Sequence, residues 1–168
     1  MARYRPPTEK SAPYITEAGY QILQQELQKL WPRRREVTQA LSAAAAEGDR
    51  SENAEYIYRK KELREIDRRI RYLQKRLPEL KVVQQNPNNP DCVFFGAWVT
   101  VEDEQGRQAT YRIVGADELN SGHGYITVDS PMAKALLRKA VDDEVTVCTP
   151  ERIKTLLITA ISYHEPDR

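Results

Sequence analysis

Cysteine is scarce in this 168-residue chain. Cys92 and Cys148 are isolated, with no His or Cys near them at ligand spacing, which excludes a disulfide-stapled scaffold and a zinc site and leaves reduced thiols. No apolar run is long enough to cross a bilayer, and residues 1–7 lack the apolar core of a signal peptide, so the expectation is a cytoplasmic protein with no membrane partner. Histidine is equally sparse. His123 stands beside two glycines and His164 near the C-terminus, neither with a nucleophile or carboxylate arranged around it, so no hydrolytic constellation is legible.

Charge, by contrast, is plentiful. Charged residues make up 30% of the chain, and the mean hydropathy is -0.70. A net charge of +1 conceals an asymmetry: residues 1–91 carry 18 Lys and Arg against 13 Asp and Glu, while residues 92–168 carry 8 against 12. The N-terminal half holds the positive charge.

That half also holds a heptad rhythm. Apolar residues fall at Tyr20, Leu23, Leu27, Leu30, Val37, Leu41 and Ala44, with Arg34 in the expected apolar place. The rhythm resumes at Tyr56, Leu63, Ile66, Ile70, Leu73, Leu77 and Leu80, with Arg59 in the corresponding gap. Sustained three-four spacing predicts two helices with one narrow apolar stripe each, and a short turn between them predicts antiparallel packing. Thr16 or Ser11 is the candidate N-cap, Gly48 the candidate terminator, and Pro87 and Pro90 close the second helix. About 32 residues per helix give an arm on the order of 50 Å. Pro32 and Pro78 fall inside the pattern and should each bend a helix or mark a register shift. The expected division is an extension at 1–13, a coiled coil at 14–85, a linker at 86–91 and a second domain at 92–168.

Between residues 59 and 76 nine basic side chains oppose three acidic ones. Lys60, Arg64, Arg68 and Arg71 share one helical face, with Arg59 and Lys61 adjoining. Two readings stand: a solvated flank stabilised by i,i+3 and i,i+4 pairs, or a stripe that attracts phosphate or an acidic groove. The excess of one sign weakens the first, since like charges repel.

The C-terminal half predicts an antiparallel sheet with one short helix, making the chain α+β. A hairpin is expected from residues 92–101 and 109–114, with further strands at 125–128, 144–148 and 153–161. Asp129, Ser130 and Pro131 open a helix reaching Lys139, with Ser130 as N-cap and Pro131 at its first position. The acidic triplets at 102–104 and 142–144 read as turns, because alternate metal ligands are missing.

The turn at 48–56 is the densest signal: Gly48, Asp49, Arg50, Ser51, Glu52, Asn53, Ala54, Glu55 and Tyr56. Asp49 and Glu52 have the spacing of a capping box, and Glu52 and Glu55 suit a first helical turn. Alternatively, Asp49 and Glu52 donate carboxylate oxygens to a hard divalent cation, with water and another macromolecule completing its shell. Arg50, Ser51, Asn53, Glu55 and Tyr56 would then support the tip.

The turn, the basic helix at 59–76, the strand FFGAWV at 94–99, the segment YRIVG at 111–115 and the helix signature DSPMA at 129–133 together resemble the bacterial Gre transcript-cleavage factors, most closely the GreB type. The resemblance spans residues 14–163. It implies an FKBP-like C-terminal domain that binds bacterial RNA polymerase at the rim of its secondary channel, and a coiled coil that enters the channel. It implies that Asp49 and Glu52 help hold the polymerase's second active-site magnesium ion, with no metal bound stably by the isolated chain. The polymerase then hydrolyses its own backtracked transcript, and the factor is not itself an enzyme. It also implies that Arg59, Lys60, Lys61, Arg64, Arg68 and Arg71 contact the extruded 3′ RNA, and that the chain acts as a monomer. The alternatives are a channel-binding regulator without cleavage activity, and an FKBP-like isomerase or chaperone with a coiled-coil arm. The isomerase alternative demands an aromatic-lined pocket, whereas Phe94, Phe95, Trp98, Tyr111, Tyr125 and Tyr163 are expected mostly as core.

Overall fold

Heptad spacing and strand alternation each produce their own packed unit. The computed structural model describes residues 9–48, 53–84 and 87–166. Two compact units result, one from residues 20–80 and the other from the chain on either side.

The first unit is helical. α1 (Glu17–Ala46) has 30 residues and α2 (Ala54–Arg76) has 23, about 45 and 35 Å respectively. Val37, Ile66 and Ile70 are buried together, with Leu27, Leu30 and Leu63 packed against them. These are the stripe residues, each contributing roughly 1.5–3 kcal/mol when fully buried. Cross-helix pairs fix the direction: Arg33 meets Glu62, and one heptad earlier in α1 Glu26 meets Arg69, one heptad later in α2. Partner numbers that rise on one helix and fall on the other require antiparallel helices.

Two sequence expectations change here. α2 ends at Arg76, and Leu77–Glu79 form a 3-10 turn with Pro78 at its start, so the helix stops well before Pro87. A proline at this position lacks the N–H that another α-helical turn would use. Pro32, by contrast, lies within α1. The second change is at the start of α2. Its N-cap is Asn53, whose side chain accepts from the Tyr56 N–H at 3.0 Å, so Asp49 and Glu52 are not its capping box.

The other unit begins before α1. β1 (Tyr14–Thr16) pairs in parallel with β2 (Lys81–Val83), with Tyr14 opposite Lys81 and Thr16 opposite Val83. Thr16 also accepts from the Gly19 N–H at 3.1 Å through its hydroxyl, capping α1 as the sequence suggests. The main sheet contains β3 (Trp98–Asp103), β4 (Gln108–Val114), β5 (Tyr125–Thr127), β6 (Glu144–Cys148) and β7 (Ile153–Ser162), in the order β5-β4-β3-β7-β6. Adjacent strands are antiparallel except β4 and β5, which run parallel. The expected all-antiparallel sheet is therefore corrected at one pair, because residues 116–121 form a 3-10 crossover and not a tight hairpin turn.

Residues 92–97 precede the first long strand instead of joining it. Gly96 has φ 85, and Cys92 makes only an isolated bridge to Ala140. α3 (Pro131–Leu136) is shorter than expected but starts as read, with the Ala133 N–H donating to the Ser130 hydroxyl at 3.1 Å. Alternation is plain in β6, where Val145 and Val147 are buried between exposed neighbours. They join Val93, Val99, Ile113, Leu136 and Ile158 in the core beneath α3.

Candidate functional site

At the turn end of the helical unit, Asn53 performs two tasks. Its carboxamide oxygen caps α2, while its Nδ2 donates to the Ala44 carbonyl at 2.8 Å, a last-turn carbonyl of α1 that also accepts from the Glu47 N–H at 3.3 Å. Gly48 follows with φ 141, a conformation that side chains other than glycine rarely adopt. Asp49, Arg50, Ser51 and Glu52 lie outside the described residues. Their chain neighbours, Gly48 and Asn53, place them on the connection between antiparallel helices. Glu55 and Tyr56 open α2: Glu55 accepts from Arg59 Nε at 2.7 Å, and Lys60 Nζ lies 5.6 Å from the Tyr56 ring centroid.

Both gaps in the apolar stripe are filled by paired arginines. Arg34 Nε donates to Asp67 Oδ1 at 2.7 Å. Arg59 Nη1 donates to Glu62 Oε2 at 3.1 Å, and Arg33 Nε donates to Glu62 Oε1 at 3.0 Å. Glu62 therefore serves both helices. Burial alone would raise its pKa, but hydrogen bonds from Arg33 and Arg59 reverse that and hold the carboxyl below the ordinary glutamate value.

Of the six basic residues singled out in α2, the structure separates one from the rest. Arg59 turns toward the seam with its two glutamates, whereas Lys60, Lys61, Arg64, Arg68 and Arg71 lie exposed on the opposite side from Ile66, Ile70 and Leu73. Arg71 Nε donates to the Asp67 carbonyl at 3.3 Å. Among the described residues, no carboxylate pairs with Lys61, Arg64 or Arg68. Sequence periodicity found this face; it overlooked Ile57 and Tyr58, two exposed apolar residues of the same helix. Their position off the core stripe was the available signal.

The sheet-bearing unit contains a second feature invisible in spacing. Glu118 is 3% exposed. Its Oε2 accepts from the N–H groups of Thr16 at 3.1 Å and Gly115 at 2.9 Å, and its Oε1 from the Thr16 hydroxyl. Nearby, the Ala12 N–H donates to Asp129 Oδ2 at 2.9 Å.

Two cavities flank this unit's sheet. One, of about 660 Å³, is lined by Trp98, Tyr125, His123 and Glu165. The other, about 630 Å³, is more apolar, with Tyr14, Phe94, Phe95, Val128 and Leu137 on its walls. Of the aromatics expected mostly as core, Phe95, Tyr111 and Tyr163 pack against it, while Phe94, Phe95, Trp98 and Tyr125 also line these cavities. Asp103 has a turn role: it accepts from the Arg107 and Gln105 N–H groups, and the Arg107 bond chiefly holds its carboxyl below the ordinary range. Among the described residues, no three His, Cys, Asp or Glu side chains gather to hold a metal ion. None of the described helices is long and apolar enough to cross a membrane.

Comparison with known proteins gives consistent matches over both units. Residues 13–82 match the family "Transcription elongation factor, N-terminal", and residues 86–163 match "Transcription elongation factor, GreA/GreB, C-term". A transcription elongation factor GreB from Pseudomonas aeruginosa is 57% identical over 164 residues, covering 97% of this chain and 98% of its own. The GreB of Xanthomonas axonopodis pv. citri is 54% identical over 165 residues, with coverages of 97% and 98%. Among solved structures, the GreA factor homolog 1 protein of Thermus thermophilus is 27% identical, covering 89% of this chain and 97% of its own, with a TM-score of 0.41.

Proposed function

This chain belongs to the GreA/GreB family of transcription elongation factors, and we propose that it restarts backtracked bacterial RNA polymerase by presenting Asp49 and Glu52 to the polymerase's own active centre. The carrying observation is the helical unit itself: an antiparallel pair whose connection, residues 47–53, includes both acids, beside a helix with a cationic outer face. The sheet-bearing unit docks at the rim of the secondary channel and the helices enter it. Polymerase then cleaves its transcript, releasing a 3′ fragment, and the factor supplies no nucleophile.

The donor set suits this task. Asp and Glu carboxylates are hard oxygen ligands of the kind magnesium takes, and two of them leave most of the coordination shell to water and to another macromolecule. The polymerase's second magnesium ion, when bound there, stabilises charge on the oxygens of an in-line displacement. Asp49 and Glu52 hold and orient; Asn53, by tying the start of α2 to the end of α1, keeps the connection short. Arg50, Ser51, Glu55 and Tyr56 support the tip. A lowering of the barrier by ~4 kcal/mol corresponds to about a thousandfold in rate. Lys60, Lys61, Arg64, Arg68 and Arg71 retain the extruded RNA through its phosphates, while Arg59 works through its two glutamates.

The test is fragment release from stalled elongation complexes. Asp49→Asn with Glu52→Gln is expected to bind polymerase, compete with the intact factor and fail to stimulate cleavage. Full stimulation by that double variant would remove the acids from the mechanism. The aromatic-lined cavity at Phe94 and Phe95 favours one second reading, a prolyl isomerase, which turnover of a proline test peptide would establish and its absence would dismiss.

A further inference from the structure

Ile57 and Tyr58 are unusual tenants of a coiled-coil flank. They are 54% and 59% exposed, and neither joins the core of the helical unit. Water contact over that much apolar surface gives no folding benefit. Tyr58 is nevertheless held. The Arg59 guanidinium lies 5.5 Å from its ring centroid and is itself gripped by Glu55 at 2.7 Å and Glu62 at 3.1 Å. A fixed cation behind an exposed ring makes a rigid flat surface and limits the rotamer entropy that binding must remove.

The charges beside it run in one line. Starting from Ile57, the four-three-four steps of a helical face lead through Lys61, Arg64, Arg68, Arg71 and Lys75, and no acidic residue interrupts that stripe. Lys61 sits one turn from Tyr58. Ile57 heads that track and Tyr58 borders it about 100° round the helix, with Lys61 as its nearest cation on the stripe. An aromatic surface beside a continuous cationic track is the construction that sequence-tolerant single-stranded nucleic-acid sites share: cations follow the phosphates while bases stack on rings. A protein ligand would satisfy the apolar pair but would need a matching unbroken acidic strip. Regularly spaced phosphates supply that by their chemistry.

We propose that Tyr58, backed by Arg59 and flanked by Ile57, is a stacking platform for the bases of single-stranded RNA whose phosphates lie along Lys61, Arg64 and Arg68. This rests on the reading that the cationic face takes RNA, and adds the base contact to it. The site distinguishes a strand with bases from one without.

The experiment measures binding of the full-length protein at low salt to a labelled single-stranded oligoadenylate and to an abasic strand of equal length. Tyr58→Ala and Tyr58→Leu should weaken oligoadenylate binding about five- to a hundredfold, the range for losing one base stack, and leave the abasic strand unaffected. Tyr58→Phe should bind as the parent does. Lys61→Ala should weaken both strands alike and flatten the salt dependence. The proposal is overturned if Tyr58→Ala binds oligoadenylate normally, if it loses both strands equally, or if the parent binds neither. Reduced affinity of Tyr58→Ala for RNA-free polymerase, with RNA binding intact, would make the face a protein contact. Oligoadenylate binding is measured without polymerase or magnesium-dependent cleavage, so failure of the cleavage reading would leave this result independent.

Discussion

The Thr16 backbone N–H donates to Glu118 Oε2 at 3.1 Å, joining positions 102 residues apart in the chain. That carboxylate also serves the Gly115 N–H and the Thr16 hydroxyl. It thereby anchors the edge strand β1 and the cap residue of α1 to the sheet-bearing unit. Glu118→Ala leaves buried donors without an acceptor, which costs about 2–4 kcal/mol. Thermal unfolding should show that loss, with Glu118→Gln intermediate because it retains one acceptor. Gly19→Ala should also destabilise, since a Cβ there would collide with the Glu118 carboxyl.

Arg34 occupies an apolar place in the heptad pattern and pairs with Asp67, their side chains 38% and 35% exposed. A pair that open to solvent adds little stability. Arg34→Leu restores the apolar stripe beside Leu30 and Val37, so we expect a gain of about 1 kcal/mol in unfolding free energy. Chemical denaturation of the parent and variant measures it. A loss would assign the pair a real role in helix alignment.

Acid should loosen the helical unit through Glu62. Its folded pKa lies below the unfolded value because the bonds from Arg33 and Arg59 outweigh desolvation. A depressed carboxyl contributes stability that is fully present above its unfolded pKa, ~4.3, and is lost as pH falls through the folded value. Helical signal at a fixed temperature should decline below about pH 4. In Glu62→Gln the stability at neutral pH should be lower and its acid dependence shallower.

Salt separates the cations of α2. Single changes of Lys61, Arg64 or Arg68 to Ala remove phosphate neutralisation, so RNA crosslinking in stalled complexes should fall and its salt slope should decrease by up to about 0.7 for each residue lost. Polymerase binding should change little. Arg59→Ala should instead lower the stability of the helical unit, because Glu55 loses its arginine and Glu62 keeps only Arg33.

Residues whose partners are near in sequence could be read in advance. Leu63, Ile66, Ile70 and Leu73 announced their helix by spacing, Ser130 and Pro131 their cap, and Val145 and Val147 their strand. The acids at 49 and 52 were conspicuous as a charged interruption between two heptad runs. Local chemistry was ambiguous where two polar residues competed: Asn53, and not an acid at 49, caps α2 because its amide can accept from Tyr56 and donate to Ala44 simultaneously.

Sequence by itself determined two antiparallel amphipathic helices, a β-rich second half and a positive face on α2, because each follows from periodicity over a few turns or strands. Tertiary structure alone decided the parallel joining of Tyr14–Thr16 to Lys81–Val83, the parallel β4–β5 pair and the seat of Glu118. Three-residue strands and a single buried carboxylate have no period to recognise. Their stability comes from donors and acceptors brought together by chain segments far apart in the sequence, and that meeting exists only once the fold has formed.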